Sequence, residues 1–381
     1  MLTKFDELTC HQVVSTFDHP ESSDKAWTEK LWCNLHDKKG KFVLATGFGI
    51  YPNRNVMDGY GCLNLENSRQ VNVRLSRELR PKIDEVAVGP LSWTVIEPWR
   101  RIRIAMGENA QGLSYDLEFL GDFQPAEEQP HFERQFGRTV VNACRYAQSG
   151  HAKGWVKLDG VTYPIDQKDF IAQRDHSWGI RMGVGAPEEG VQAPDTAPYQ
   201  GMMIDWFTFQ FDDFAMAGYL IEKDDGTITR LTGHIVPRLD STTRQIPIVG
   251  IEHDWKFHER SLRTKGGKLV VHGMDKSRYE LDLRELTTMY LRGGGYVGTK
   301  DFRHGKWMGP SWADGESWNV ADPKVANDVH GLDDTVMEIR CGDKVGYGIM
   351  ENMVIPSAPP FGGRYKDQIA SFVAHMMAQR R

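Results

Sequence analysis

Little in this sequence points to a metal, a redox centre or a nucleotide. Five cysteines, Cys10, Cys33, Cys62, Cys144 and Cys341, are scattered through 381 residues. None forms a C-x-x-C pair or has a histidine at metal-ligand spacing, so neither a structural zinc nor a disulfide framework is expected. That cysteine usage, and the lack of an apolar leader in "MLTKFDELTCHQVV", point to a reduced, cytoplasmic protein. No stretch reaches the roughly 18 apolar residues that a membrane span needs. A G-x-G-x-x-G loop is missing, which leaves a nucleotide cofactor without a seat, and there is no G-x-S-x-G elbow to suggest a serine hydrolase. Charge of one sign is also lacking: the net charge is -6 with the basic residues interspersed among acids, so nucleic acid is not an expected partner.

What is abundant is strand signal. Short alternating segments are separated by turn dipeptides, as in "GWVKLDGVTYPI" about Asp159-Gly160 and "AGYLIEKDDGTITRLTG" about Asp225-Gly226. Such turns need positive φ at their centre, which Asp-Gly supplies, so each reads as a hairpin. Helical periodicity is sparse. It is clearest in the C-terminal "DQIASFVAHMMAQRR", where Ile369, Phe372, Val373 and Met376 recur at helical spacing. The fold class is therefore mostly β, and an alternating α/β fold is a poor fit. The Gly-, Pro- and Ala-rich segment Gly185 to Gly201 reads as a linker and divides the chain into domains 1–190 and 191–381. A loose echo links the halves, since "WCNLHDKKGKFVLATGFG" from Trp32 and "WFTFQFDDFAMAGYL" from Trp206 both begin on a Trp-led strand.

The densest functional signal is "FIAQRDHSWGIRMG", Phe170 to Gly183. Strand alternation puts Arg174, His176 and Trp178 on one face and Asp175 and Ser177 on the other, which rules out a sequential Ser-His-Asp triad. Asp175 is expected to face away and pair with an arginine. A second candidate is Asp205 in "GMMIDWFTF", among Met203, Trp206 and Phe207. Apolar company raises a carboxyl pKa and favours a neutral acid able to donate a proton. In "GFGIYPNRNVMDGYG", Tyr51 and Tyr60 are candidate phenol donors, whereas Asn53 and Asp58 read as turn residues. Glu351 in "GYGIMENMVIP" is a reserve acid-base candidate, and His258 and His304 have no partner at ligand spacing.

The segments "RDHSWGIR", "GFGIYPN" and "HGLDDTVMEIRCGDKVGYGIMENMV" resemble the carotenoid 1,2-hydratase (hydroxyneurosporene synthase)-like group, which extends to lipocalin-like tocopherol cyclase and Diels-Alderase relatives. The resemblance implies two tandem lipocalin-like antiparallel β-barrel domains, with a ligand pocket near their junction. It also implies a His-x-Trp element, matched by His176 and Trp178, followed by Tyr-x-Asp, whose Asp protonates an alkene. Asp205, 29 positions after His176, falls where that acid belongs, and Met203 stands where the tyrosine would be.

The resulting expectation is a cofactor-independent lyase, hydratase or isomerase acting on a hydrophobic unsaturated or ring-bearing small molecule, such as a terpenoid, polyene, steroid or lignin-like aromatic. No cofactor and no metal are called for. Asp205 would be the general acid or base, His176 its proton partner, Trp178 a cation-stabilising wall and Tyr51 a donor. Trp206, Phe207, Met203, Tyr60, Arg174 and Glu351 would contact substrate. A non-catalytic carrier of apolar ligands and a shape-selective cyclase or Diels-Alderase are the rival readings, and a homodimer is a candidate assembly.

Overall fold

The computed structural model describes residues 1–9, 11–185, 188–195, 200–356 and 365–379. Parts of the linker (186, 187, 196–199), Cys10 and the side chain of Met376 lie outside the described residues. The chain is mostly antiparallel β and forms two large sheets. The first curls into a half-barrel. Its central strands are Arg69–Glu78, Val56–Leu65, Phe42–Tyr51, Trp27–Asp37, Phe170–Ile180 and the long Arg138–Leu158, neighbours in that order. The second sheet closes into a barrel of eight strands running from Met202–Gln210 to Lys344–Ile355.

Both predicted hairpins are present. Leu158 pairs with Val161 around Asp159 (φ 50°) and Gly160 (φ 86°), and Phe214–Lys223 pairs with Ile228–Pro237 around Gly226 (φ 84°). The change of sheet falls between Ile180 and Met202, in the linker region. One strand crosses back: Ser311–Asn319, from the second half of the chain, pairs with Arg69–Glu78 as the edge of the first sheet. Buried Arg74 holds it, with ion pairs to Glu316 (2.7 Å) and Asp314 (3.0 Å). A buried guanidinium needs such partners because desolvation otherwise disfavours its charge.

Each sheet has its own apolar core, and a third cluster lies between them. Strand Trp27–Asp37 shows how alternation builds this. Cys33 and Leu35 enter the half-barrel core, whereas Trp32 faces the second barrel. Its middle residues are buried on both faces, so the simple in-out pattern of a solvated antiparallel strand is lost. Trp206 meets Trp32 edge to face across the junction, with ring centroids 5.6 Å apart, so the tryptophans that open the two echoing segments are in contact. The turn Leu291–Gly294 packs so closely here that a Cβ on Gly294 would strike the Tyr60 ring. The C-terminal helix Lys366–Gln379 lays Ile369, Phe372 and Val373 on the second core. No helix among the described residues is long and apolar enough to cross a membrane.

Candidate active site at the sheet junction

The sequence-predicted residues separate onto three surfaces. His176 and Trp178 share a face of Phe170–Ile180, as alternation predicts, with rings 5.3 Å apart. Their face is that of Cys33 and Ala172, directed into the half-barrel. There His176 Nε2 lies 2.7 Å from Glu29 and Nδ1 lies 3.3 Å from the Tyr146 hydroxyl. Arg174 donates to Gln148 (2.6 Å) and Tyr146 (3.1 Å) on the same face.

Asp205 is inside the other barrel. Its neighbour Trp206 faces the junction, so alternation sends Asp205, Met203 and Phe207 inward. Asp205 accepts from Trp255 Nε1 (3.0 Å) and from Asn352 Nδ2, and burial raises its pKa. Phe207 stacks on Phe209 at 4.8 Å. The opening near Met203 measures about 20 Å³, room for a water molecule rather than a substrate. The expected pairing of His176 with Asp205 is thus corrected: the two groups bond different partners on the inner faces of different sheets. Both strands present the opposite face to the junction, and the family spacing that linked His176 to Asp205 carries no information about which face of each strand meets the other sheet.

The junction instead gathers Asp175, Lys30, Trp32, Trp206, Tyr60, Asp334 and Glu351. Asp175 faces away from His176 and lies 3.6 Å from Arg145, the arginine pairing expected of it. Asp334 Oδ2 accepts from Asn34 (2.8 Å) and Trp32 Nε1 (3.2 Å), while Oδ1 has no ordinary donor. Glu351 lies beside Asp334, one step beyond the Thr335–Met350 register pair, and the two carboxyls interact electrostatically. Two ionised carboxylates this close repel each other, so a shared proton is favoured. Burial raises Glu351 well above the usual carboxyl range, and the Asp334 charge raises it further. Asp334 is itself pushed up to about 7 by burial. The proton belongs on Glu351, with Asp334 as acceptor.

A second buried group lies on the half-barrel side. Asp58 accepts from Gly305 N (2.7 Å) and from the Tyr51 hydroxyl (3.2 Å), so the phenol of Tyr51 is already engaged and buried. Burial lifts Asp58 to about 7 and depresses Lys30 to about 7. Lys30 Nζ is 2.7 Å from His304 Nδ1. His304 Nε2 lies 2.9 Å from the Gly294 carbonyl, which can only accept, so Nε2 carries the proton and Nδ1 accepts from Lys30. Lys30 also sits 4.9 Å from the centre of the Tyr296 ring, and Tyr296 packs edge-on against Tyr60.

The junction opens to a cleft of about 200 Å³, lined by residues including Glu128, Arg145, Ser177, Arg181, Tyr219 and Arg230. Arg145 on the cleft wall is within electrostatic range of both Asp175 and Glu351, which are themselves partly accessible. Trp206 Nε1 donates to Glu128 (2.8 Å), tying this wall to the aromatic pair.

Asp334, Lys30 and Arg145 carried no signal of their own in the sequence, and Asp58 and His304 read as turn and structural residues. The one available pointer to Asp334 was the "HGLDDTVMEIR" part of the family resemblance.

A family model described as a family of unknown function, DUF8625, matches residues 2–363. The chain belongs to that family. No curated protein matches it. Among solved structures, this DUF8625 chain is similar to an AttH candidate from Nitrosomonas europaea, at 12% identity and a TM-score of 0.53, covering 86% of this chain and 93% of that one. The likeness shows a shared lipocalin-like fold. CghA with Sch210972 (TM-score 0.48, 11% identity, 87% and 89% covered) and kievitone hydratase from Nectria haematococca (TM-score 0.41, 11% identity, 86% and 89% covered) are also similar.

Proposed function

We propose that this protein is a cofactor-independent acid-base enzyme, a hydratase or a related lyase or isomerase, acting on an apolar unsaturated or ring-bearing small molecule at the junction. The observation that carries the reading is the Asp334–Glu351 carboxyl pair beside Trp32, within electrostatic range of Arg145 on the cleft wall. Protonating an alkene calls for a carboxylic acid kept neutral near pH 7, and burial against a second carboxylate produces one.

In the hydratase form, Glu351 gives its proton to one alkene carbon, and the π pair forms the new C–H bond. The cation left on the other carbon is stabilised by aromatic faces and by the Asp334 carboxylate. Water adds to that cation, its spare proton returns to Glu351, and the net change is alkene plus water to alcohol. The same steps in reverse describe a dehydratase, and proton loss from carbon instead of water addition gives an isomerase. In this reading Glu351 takes the acid role assigned to Asp205 from sequence, and Trp206 and Tyr60 remain proposed substrate contacts.

The test is turnover of apolar alkenes and allylic alcohols by purified protein, followed by mass spectrometry in H₂¹⁸O. Wild type is expected to incorporate ¹⁸O, and Glu351→Gln to lose rate by about 10²–10⁴-fold while staying folded. Ligands bound and returned unchanged would instead support a carrier.

A further inference from the structure

The cleft wall carries more cationic donor capacity than its own residues use. Arg145, Arg181 and Arg230 line one opening. Buried Nε of Arg145 and buried Nε of Arg230 have no hydrogen-bond partner. Arg181 Nη1 donates to Ser177 Oγ (2.8 Å), and among the described residues Arg181 forms no ion pair. Arg145 donates a long hydrogen bond to Glu128 (3.4 Å) and lies 3.6 Å from Asp175, while Arg230 donates to the Gln129 carbonyl (2.5 Å) and lies 3.9 Å from Glu128. Glu128, Asp175 and Glu133 offset part of this positive charge, and Arg181 is left without an ion pair among the described residues. Desolvated cations left short of partners destabilise the free protein, and an anion that supplies acceptors relieves this. The Tyr219 ring lies within cation–π range of both Arg145 (5.7 Å) and Arg230 (5.2 Å). Val141, Ala143 and Met182 add an apolar wall alongside.

We propose that the cleft seats an organic monocarboxylate, so that the substrate is an apolar unsaturated acid whose carboxylate lies among Arg145, Arg181 and Arg230 while its apolar part points inward. This deepens the acid-base reading above and rests on it for the word substrate. The planar carboxylate accepts the paired N–H bonds that a guanidinium offers, and the apolar part that inorganic phosphate lacks covers Val141, Ala143 and Met182. The available volume, about 200 Å³, is enough for a ring-sized or short-chain group, since an engineered apolar cavity of about 150 Å³ holds benzene.

Binding, measured without turnover, tests the seat separately from the chemistry. Sorbate and trans-cinnamate are titrated calorimetrically against their methyl esters and against inorganic phosphate, using wild type, Arg181→Met, Arg181→Lys and Arg230→Met. Wild type is expected to prefer each acid over its ester by about tenfold or more, and to bind phosphate more weakly. Arg181→Met and Arg230→Met should each erase most of that preference with ester affinity unchanged, and Arg181→Lys should keep part of it. Glu351→Gln should retain the preference even with turnover gone, so loss of catalysis there leaves the seat intact. Equal affinity for acid and ester, no binding of any acid, tighter binding of phosphate, or a preference untouched in both methionine variants overturns the proposal.

Discussion

Glu351 and Asp334 form a buried carboxyl pair in the junction between the two sheets, on the same face of their shared hairpin one residue beyond the Thr335–Met350 pair. Barrel alternation forces this geometry. Met350 enters the core of the second barrel, so the next residue on its strand must face the first sheet. Trp32 and Asn34 reach across from that sheet to hold Asp334, and the pair is therefore assembled from both halves of the chain.

The pair sets the direction of a pH effect on activity. With Glu351 as proton donor, rate falls as pH rises through its elevated pKa. Asp334→Asn removes the negative charge that helps keep Glu351 protonated, so the alkaline limb of kcat/KM should move to lower pH. A limb that stays in place or moves upward in Asp334→Asn would remove Glu351 from the donor role.

Stability should carry the same signature. Asp334 rises from 3.8 to about 7 on folding, so between those values the folded state binds more protons than the unfolded chain. Its contribution therefore falls as pH rises through that window and is level above it. Thermal unfolding of wild type and Asp334→Asn from about pH 4 to 8 reads this as a Tm difference. The difference should favour wild type most at the acidic end and decline toward pH 7. Growth of the wild-type advantage with rising pH would contradict the assignment.

His176 and Asp205 should behave as strangers. Asp205→Asn places an amide N–H against the donors Trp255 Nε1 or Asn352 Nδ2, which is expected to cost about 1–3 kcal/mol of stability. His176→Ala removes contacts with Glu29 and Tyr146 in the other sheet. The double variant should equal the sum of the singles within about 0.5 kcal/mol by denaturant unfolding, and Asp205→Asn should leave kcat nearly unchanged. A larger coupling energy, or a folded Asp205→Asn enzyme without turnover, would return the acid role to Asp205.

Trp32 provides an independent check on the junction. Trp32→Phe keeps an aromatic ring against Trp206 but removes the indole donor to Asp334. The loss of that bond to a buried carboxyl should destabilise by about 1–3 kcal/mol and push the Asp334 pKa higher. Denaturant midpoints and a pH titration of Tm measure both effects. An unaltered Tm-pH profile would show that Trp32 does not tune the pair.

The sequence by itself determined the strand-rich class, the Asp-Gly hairpins, the C-terminal helix and the side-chain alternation in Phe170–Ile180, because these depend on local backbone preference and a period of two residues. It also determined that His176 and Trp178 share a face and that Asp175 does not join them. Tertiary structure alone decided which face meets which. The half-barrel turns the His176 face inward and the Asp175 face toward the second barrel, while the second barrel turns Asp205 inward and Glu351 outward. Alternation defines two faces for each strand and gives no information about what covers either one. That information comes from long-range packing, including the return of Ser311–Asn319 to the first sheet and the meeting of Trp32 with Trp206. Asp58 and His304 were unreadable for the same reason: their partners Tyr51, Gly305, Lys30 and Gly294 are brought to them by the fold, and the pKa shifts of the buried groups exist only once the two sheets have closed over them.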